Sequence, residues 1–156
     1  MGLSLSPGPK RSVAWYRNRP SAFLTAAANR FSLALSLYDA EEWAEAGSIT
    51  SALIKEQTGR SAYIGLAGAI AARMCDRAAA MKQAAALSRL ASEPDGTVEL
   101  TRAQLEALLG QRERAVELLR DAFARGLSMS TALHRQMDFV SLHGFAPFDE
   151  LMRPKG

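Results

Sequence analysis

Apolar residues return every three or four positions through most of this chain, and short breaks interrupt them at regular intervals. Phe23, Ala27, Leu33, Leu35 and Leu37 outline a helix from about Ala22 to Tyr38, with Pro20 tolerable in a first turn. A partner helix is expected from Glu41 through Ile54, and Gly59 marks its stop. The same rhythm predicts helices over Ser61–Met74 and Arg77–Leu90, separated by Cys75 and Asp76 alone. It then predicts Glu99–Leu109 and a helix from Gln111 or Arg112 to Arg125, joined at Gly110. Helices of this length with connections this short must fold back antiparallel. Between the last two pairs, Ser92, Glu93, Pro94, Asp95 and Gly96 supply a punctuated loop. A short helix over Arg11–Tyr16 is expected after a flexible lead at residues 1–10, where Pro7, Gly8 and Pro9 break the periodicity.

The breaks themselves recur. Cys75 and Gly110 stand 35 residues apart at the corners between helices, and each is followed five residues on by an alanine, Ala80 or Ala115. Gly68 and Ala103 hold the matching place in the first helices, where close packing favours a small side chain. Asp39 with Ala44 extends the series backwards by 36 residues. A period near 35 belongs to arrays of helix pairs, because each amphipathic pair leaves an apolar side that only a neighbour can cover. The expected fold is therefore all-α: a superhelical array of antiparallel helix hairpins in a single domain over residues 11–156, with a C-terminal closing segment. Its core is expected to include Leu35, Ile54, Leu66, Ile70, Ala80, Ala84, Leu87, Leu105, Leu108, Ala115, Leu118, Leu119 and Ala122. Phe139, Leu142, Phe145, Phe148 and Leu151 are expected to fold back over the last hairpin, because an uncovered end exposes apolar surface.

These residues resemble the tetratricopeptide repeat, in which a small residue in the first helix, a corner glycine and alanines in the second helix recur. The pattern falls on Ala103, Gly110, Ala115 and Ala122, and more loosely on Gly68, Cys75, Ala80 and Ser88. The motif's early aromatic is replaced by Glu99, and its mid-helix aromatic by Ala71 in one unit and Glu106 in the other. The tail, with Gly126-Leu127, His134-Arg135, Asp138-Phe139-Val140-Ser141-Leu142 and Pro147-Phe148-Asp149-Glu150-Leu151-Met152, is similar to the end of certain bacterial repeat domains. Those domains are attached to serine/threonine kinases, nucleotide cyclases or winged-helix regulators. The likeness covers about residues 60 to 156 and supplies context without transferring any catalytic residue.

Composition narrows the function little. At 156 residues, with 48% hydrophobic and 22% charged, the chain suits one soluble globular domain. The formal charge of +3 is unevenly spread. Lys10, Arg11, Arg17, Arg19 and Arg30 precede Tyr38 without an acidic residue among them, and Asp39, Glu41, Glu42 and Glu45 follow at once. With Trp15 and Tyr16, the basic set could meet phosphates and stack on bases; the same aromatics are explained by capping the end of the helix stack. The mixed charges of the later helices weaken any continuous phosphate track.

Catalytic chemistry finds little support. His134 and His143 lie nine residues apart with few other ligands nearby, which fits no common zinc motif. Cys75 is the single cysteine, so no intramolecular disulfide can form; at a corner it reads as a small residue standing in for glycine. Glu41 and Glu45 flank a helix start, where negative charge is favoured by unpaired N–H groups. No phosphate-binding loop, nucleophile elbow or zinc-protease motif occurs. The expectation is a non-enzymatic protein-interaction or scaffold module without cofactor or metal. It would bind a peptide or partner protein, rather than nucleic acid or a small molecule, on the surface of its first helices through Tyr63, Arg73, Arg102 and Glu106. Self-association or fixed docking through an apolar helical face, with the Ala22–Tyr38 helix as contact and Trp15 and Trp43 as anchors, is the alternative and would make a homo-oligomer. The absence of a long apolar run predicts no membrane span and a cytoplasmic location.

Overall fold

A computed structural model describes residues 8–128, 133 and 136–153. His134, most of the expected flexible lead (1–7) and residues 154–156 lie outside the described residues. The chain divides into two compact units, Met1–Thr58 and Gly59–Gly156.

In the first unit, α1 spans Pro9–Arg17, a 3-10 turn follows at Ser21–Thr25, and α2 (Ala27–Asp39) pairs with α3 (Trp43–Glu56). Helix α1 starts two residues before the expected Arg11, because Pro9 occupies the first turn, where its missing N–H costs nothing. The helix expected from Ala22 is instead broken: Ala26 is extended (φ −70°, ψ 129°), and the Asn29 amide donates to the Phe23 carbonyl at 2.7 Å, fixing the turn against α2. Val13, Leu33, Ala34, Leu37, Tyr38, Ala46 and Leu53 form the core. Thr50 is buried among them and satisfies its hydroxyl on the Ala46 carbonyl at 2.7 Å. Leu35, expected in the core, is 40% exposed. The buried stripe of α2 runs through positions 33, 34, 37 and 38, and at 100° per residue Leu35 falls off it.

In the second unit, α4 (Ser61–Arg73) pairs with α5 (Arg77–Ser88), and α6 (Thr97–Leu108) pairs with α7 (Arg112–Ala124). The two pairs meet chiefly through α4 and α6. Their approach depends on two absent side chains: a Cβ on Gly65 would overlap the Thr101 methyl, and one on Gly68 would stand 2.6 Å from Leu105 Cδ2. The chain ends in a 3-10 segment, Met137–Leu142, and α8, Ala146–Leu151. As expected, this segment closes the last hairpin. Phe139, Leu142 and Phe148 are fully buried with Ala103, Ala107, Ala115, Val116, Leu118 and Leu119, and Phe145 and Leu151 pack at the margin. Most of the remaining expected core is buried too, while Ile54, Ala84 and Leu108 are partly covered.

The three helix pairs share one local geometry. Each first helix ends on a residue in the left-handed region, Glu41 (φ 65°), Cys75 (φ 60°) or Gly110 (φ 81°). The next N–H, from Glu42, Asp76 or Gln111, donates to a carbonyl five residues back, on Leu37, Ala71 or Glu106, at 2.9 Å each time. This capping motif satisfies carbonyls that a helix end would otherwise leave open. Five residues after each corner stands a fully buried alanine: Ala46, Ala80 and Ala115. The earliest corner is therefore Glu41 with Ala46, and the pairing of Asp39 with exposed Ala44 is corrected. Ala34, Gly68 and Ala103 mark the small position of the first helices, and Leu53, Leu87 and Ala122 the buried one of the second.

The same register joins residues that sequence alone leaves unrelated. In the first unit Arg30 grips Glu56 with two hydrogen bonds, at 2.7 and 2.6 Å. The equivalent residues of the middle pair, Ile64 and Leu90, belong to the apolar cluster of that hairpin. In the last pair they are Glu99 and Arg125, with the charges exchanged and Nε 3.3 Å from Oε1. The open end of each hairpin is thus held by two equivalent positions carrying different chemistry.

Candidate functional site

The exposed surface offers two places where unlike groups converge. The first is the face of α4 and α6, the first helices of the second unit. The 3-10 segment lies against α6 and is held there by side-chain contacts. Gln104 Nε2 donates to Gln136 Oε1 at 2.7 Å, Ser141 Oγ donates to the Ala107 carbonyl at 3.2 Å, and Arg73 Nη2 donates to the Met137 carbonyl at 3.2 Å. Arg73 also stands 3.4 Å from Asp138 Oδ1, a carboxylate that is mostly covered. A 3-10 helix repeats every three residues, which puts Phe139 and Leu142 on one side and Met137 and Val140 on another. The first pair is fully buried, and the second is 41% and 57% exposed.

The expected binding residues stand on α4 and α6. Tyr63 is buried in α4 with the Arg60 guanidinium 5.4 Å from its ring centroid, and Arg73 is engaged with the 3-10 segment. Arg102 and Glu106 are half-buried one turn apart on α6. Gln104, Gln136, Asp138 and Ser141, which hold the segment, carry no motif that would single them out. The offset of about 35 residues between corners was the one signal able to align Glu99 and Arg125 with Arg30 and Glu56.

The second place is the outer face of α1. Trp15 is 46% exposed, with the Arg19 guanidinium 3.9 Å from its ring centroid. Tyr16 and Phe23 meet it edge-on, at 4.9 and 5.7 Å between centroids. The other cations of the basic N-terminal third divide into two sets. Arg17 binds Glu42 and Glu45 at 2.7 and 2.5 Å, which raises its already high pKa, chiefly through the Glu42 hydrogen bond. Arg30 holds Glu56, whose carboxyl is pushed below its ordinary range by those hydrogen bonds. Lys10 and Arg11 instead line an open depression of about 710 Å³ with Gly8, Pro9, Asp39, Ala40 and Glu41.

The remaining chemical candidates are separate. Cys75 is exposed at its corner, and His143 stacks on Phe148 with 6.0 Å between ring centroids. Trp43, proposed as an anchor beside Trp15, is half-buried, and its indole nitrogen is enclosed without a hydrogen-bond partner among the described residues. No group of three or more His, Cys, Asp or Glu able to hold a metal occurs among the described residues, and none of their helices is long and apolar enough to cross a membrane. No family model matches the chain, and neither a curated protein nor a solved structure matches it significantly.

Proposed function

We propose that this chain is a non-catalytic protein-interaction or scaffold module of tetratricopeptide-repeat type, whose helix pairs form a superhelical array. Its ligand is a peptide segment or a partner domain laid against the face of the first helices. One observation carries the reading: this face already holds a short non-α segment of the chain, residues 136–142, by gripping a backbone carbonyl, an amide and a hydroxyl while two apolar side chains are buried. Peptide recognition uses the same ingredients, polar contacts to fix register and apolar pockets for affinity. Arg102 and Glu106 supply further polar surface, and Arg73 and Tyr63 lie at the two ends of α4.

A photo-crosslinker installed at either Arg102 or Glu106 in the full chain, with the other residue kept, tests this in the source cell. The expected result is a discrete, nuclease-resistant protein adduct, weakened by reversing the charge of the residue that is kept, Glu106→Arg in the first case and Arg102→Glu in the second. Crosslinking to nucleic acid alone, or adducts indifferent to both reversals, would overturn the reading. Self-association is the second reading, favoured by the exposure of Leu35 in the middle of α2. A salt-insensitive dimer in light scattering, lost in Leu35→Glu, would establish it instead.

A further inference from the structure

We propose that the outer face of α1 is a second docking surface, specific for a short acidic segment of a partner protein that carries an apolar side chain. This surface lies in the first unit and goes beyond the contact proposed for α4 and α6. Arg11 and Trp15 are four residues apart and share a solvent face of α1, while Val13 points into the core. Arg19 folds over the indole from beyond the helix end, and Arg11 stands one turn before Trp15 on the same face.

Three features make this arrangement more than an exposed tryptophan. The ring is supported edge-on by Tyr16 and Phe23, and the Asn29 hydrogen bond to the Phe23 carbonyl holds the backbone that carries the second ring, so the indole has less side-chain freedom to lose when a ligand binds. Two of the neighbouring carboxylates, Glu42 and Glu45, are taken up by Arg17 on the opposite side, roughly 160° around the helix from Trp15 by its 100° periodicity, which leaves Asp39 and Glu41 as the acidic border on the Arg11 side. Tryptophan and arginine together are also the residues on which interface energy concentrates.

The charge pattern selects the ligand. Asp39 and Glu41 share the depression lined by Lys10 and Arg11, so the positive surface ends within about one turn of α1 and offers no track for a polyphosphate backbone. The rise from Arg11 to Trp15 is about 6 Å, close to the roughly 6.6 Å between alternate side chains of an extended peptide. An acidic residue and an apolar residue two apart in the ligand thus meet Arg11 and Trp15, and a following carboxylate meets Arg19.

The test uses the full chain in a Trp43→Phe background, where Trp15 is the sole indole. The probe is a 12-residue peptide alternating Asp or Glu with Leu or Phe. Saturable binding that shifts Trp15 emission is expected, weakened about tenfold or more by Arg11→Glu and by Arg19→Glu. Arg114→Glu, on the second unit, is expected to leave it unchanged. Ellipticity at 222 nm checks that each variant is folded. The proposal is overturned if the peptide does not bind, if both α1 reversals bind it like the parent, or if oligo(dT) or phosphatidylserine vesicles shift Trp15 emission while the peptide does not. Any of these results leaves the crosslinking test on α6 unaffected.

Discussion

Replacing Glu99 and Arg125 by the pair found in the middle hairpin should not weaken the fold, although each charge removed alone has a different effect. The Glu99 side chain is only 3% exposed, and its Oε2 is enclosed without a hydrogen-bond partner among the described residues. Arg125 is 44% exposed and reaches Glu99 by one contact of 3.3 Å. Loss of Arg125 leaves a desolvated carboxylate without its cation, which costs about 3–5 kcal/mol for a fully buried pair and less here because the Arg125 partner is itself 44% exposed and screened by water. About 2–3 kcal/mol is expected for Arg125→Ala. Loss of the Glu99 charge strands nothing, because the guanidinium turns to water, so Glu99→Gln is expected to cost less than about 1 kcal/mol.

The double variant Glu99→Ile with Arg125→Leu removes the desolvation penalty and adds buried hydrocarbon, as Ile64 and Leu90 do one repeat earlier. Exchanging a buried ion pair for well-packed apolar groups is commonly neutral or stabilising by about 1–4 kcal/mol. Thermal unfolding of the full chain followed at 222 nm reads the series, about 4–8 °C per kcal/mol for a unit of this size. Equal losses for Glu99→Gln and Arg125→Ala would refute the asymmetry. A double variant less stable than Arg125→Ala would refute the equivalence of the hairpin ends.

Other consequences can be checked on the same protein. Phe139→Ala should cost about 3–5 kcal/mol by leaving a cavity between α6, α7 and the tail, and deleting residues 138–156 should abolish the cooperative transition; an unchanged melt would show that the tail does not close the hairpin. Gly96→Ala should be more damaging than Gly110→Ala, since both have positive φ but only at Gly96 would a Cβ overlap the Ala122 backbone, whereas Cys75→Gly should be neutral or stabilising by up to about 1 kcal/mol by relieving a left-handed non-glycine residue. Asp95 accepts from the Thr97 N–H and hydroxyl at 3.0 and 2.8 Å, and these bonds lower its pKa from 3.8, the N–H contributing most. Its contribution is present above that ordinary value and is lost as pH falls below it through the folded pKa. An NMR titration of the Thr97 amide should report a midpoint below 3.8, absent in Asp95→Asn.

Much of the fold was legible because the forces that set it act locally. The corners at Cys75 and Gly110, the buried alanines after them and the small residues opposite follow from helix periodicity and end-capping, and both leave marks at fixed spacing. The closing tail was legible for a related reason: five large apolar residues in a short stretch must be covered. Legibility failed where partners lie far apart in sequence or where one position admits several chemistries. Asp39 stood in for Glu41 because glutamate is not a residue expected at φ 65°, and only backbone geometry reveals the corner. Leu35 is exposed because the alternation of Leu33, Leu35 and Leu37 spans more of the helix circumference than one neighbour covers, and the stripe that is buried runs through Leu33, Ala34, Leu37 and Tyr38.

The candidate surfaces were the least legible, and the reason bears on how this chain can bind at all. A carbonyl gripped by an arginine 64 residues away leaves no trace in composition, since the acceptor is present at every residue. The basic N-terminal third, conspicuous in sequence, is divided by folding: Arg17 and Arg30 brace carboxylates of the chain itself, Arg19 lies over Trp15, and Arg11 stands one turn before Trp15 at the edge of the depression that holds Asp39 and Glu41. Braced arginines cannot also meet a ligand without releasing their carboxylates, so the net charge overstates the cationic surface that a partner encounters. A polyanion, which gains affinity by neutralising many phosphates at once, is penalised by this division far more than a short acidic peptide that needs two cations and an apolar contact. For the contact proposed on α1, the same folding that ties two arginines to carboxylates therefore favours a short acidic peptide over a polyanion.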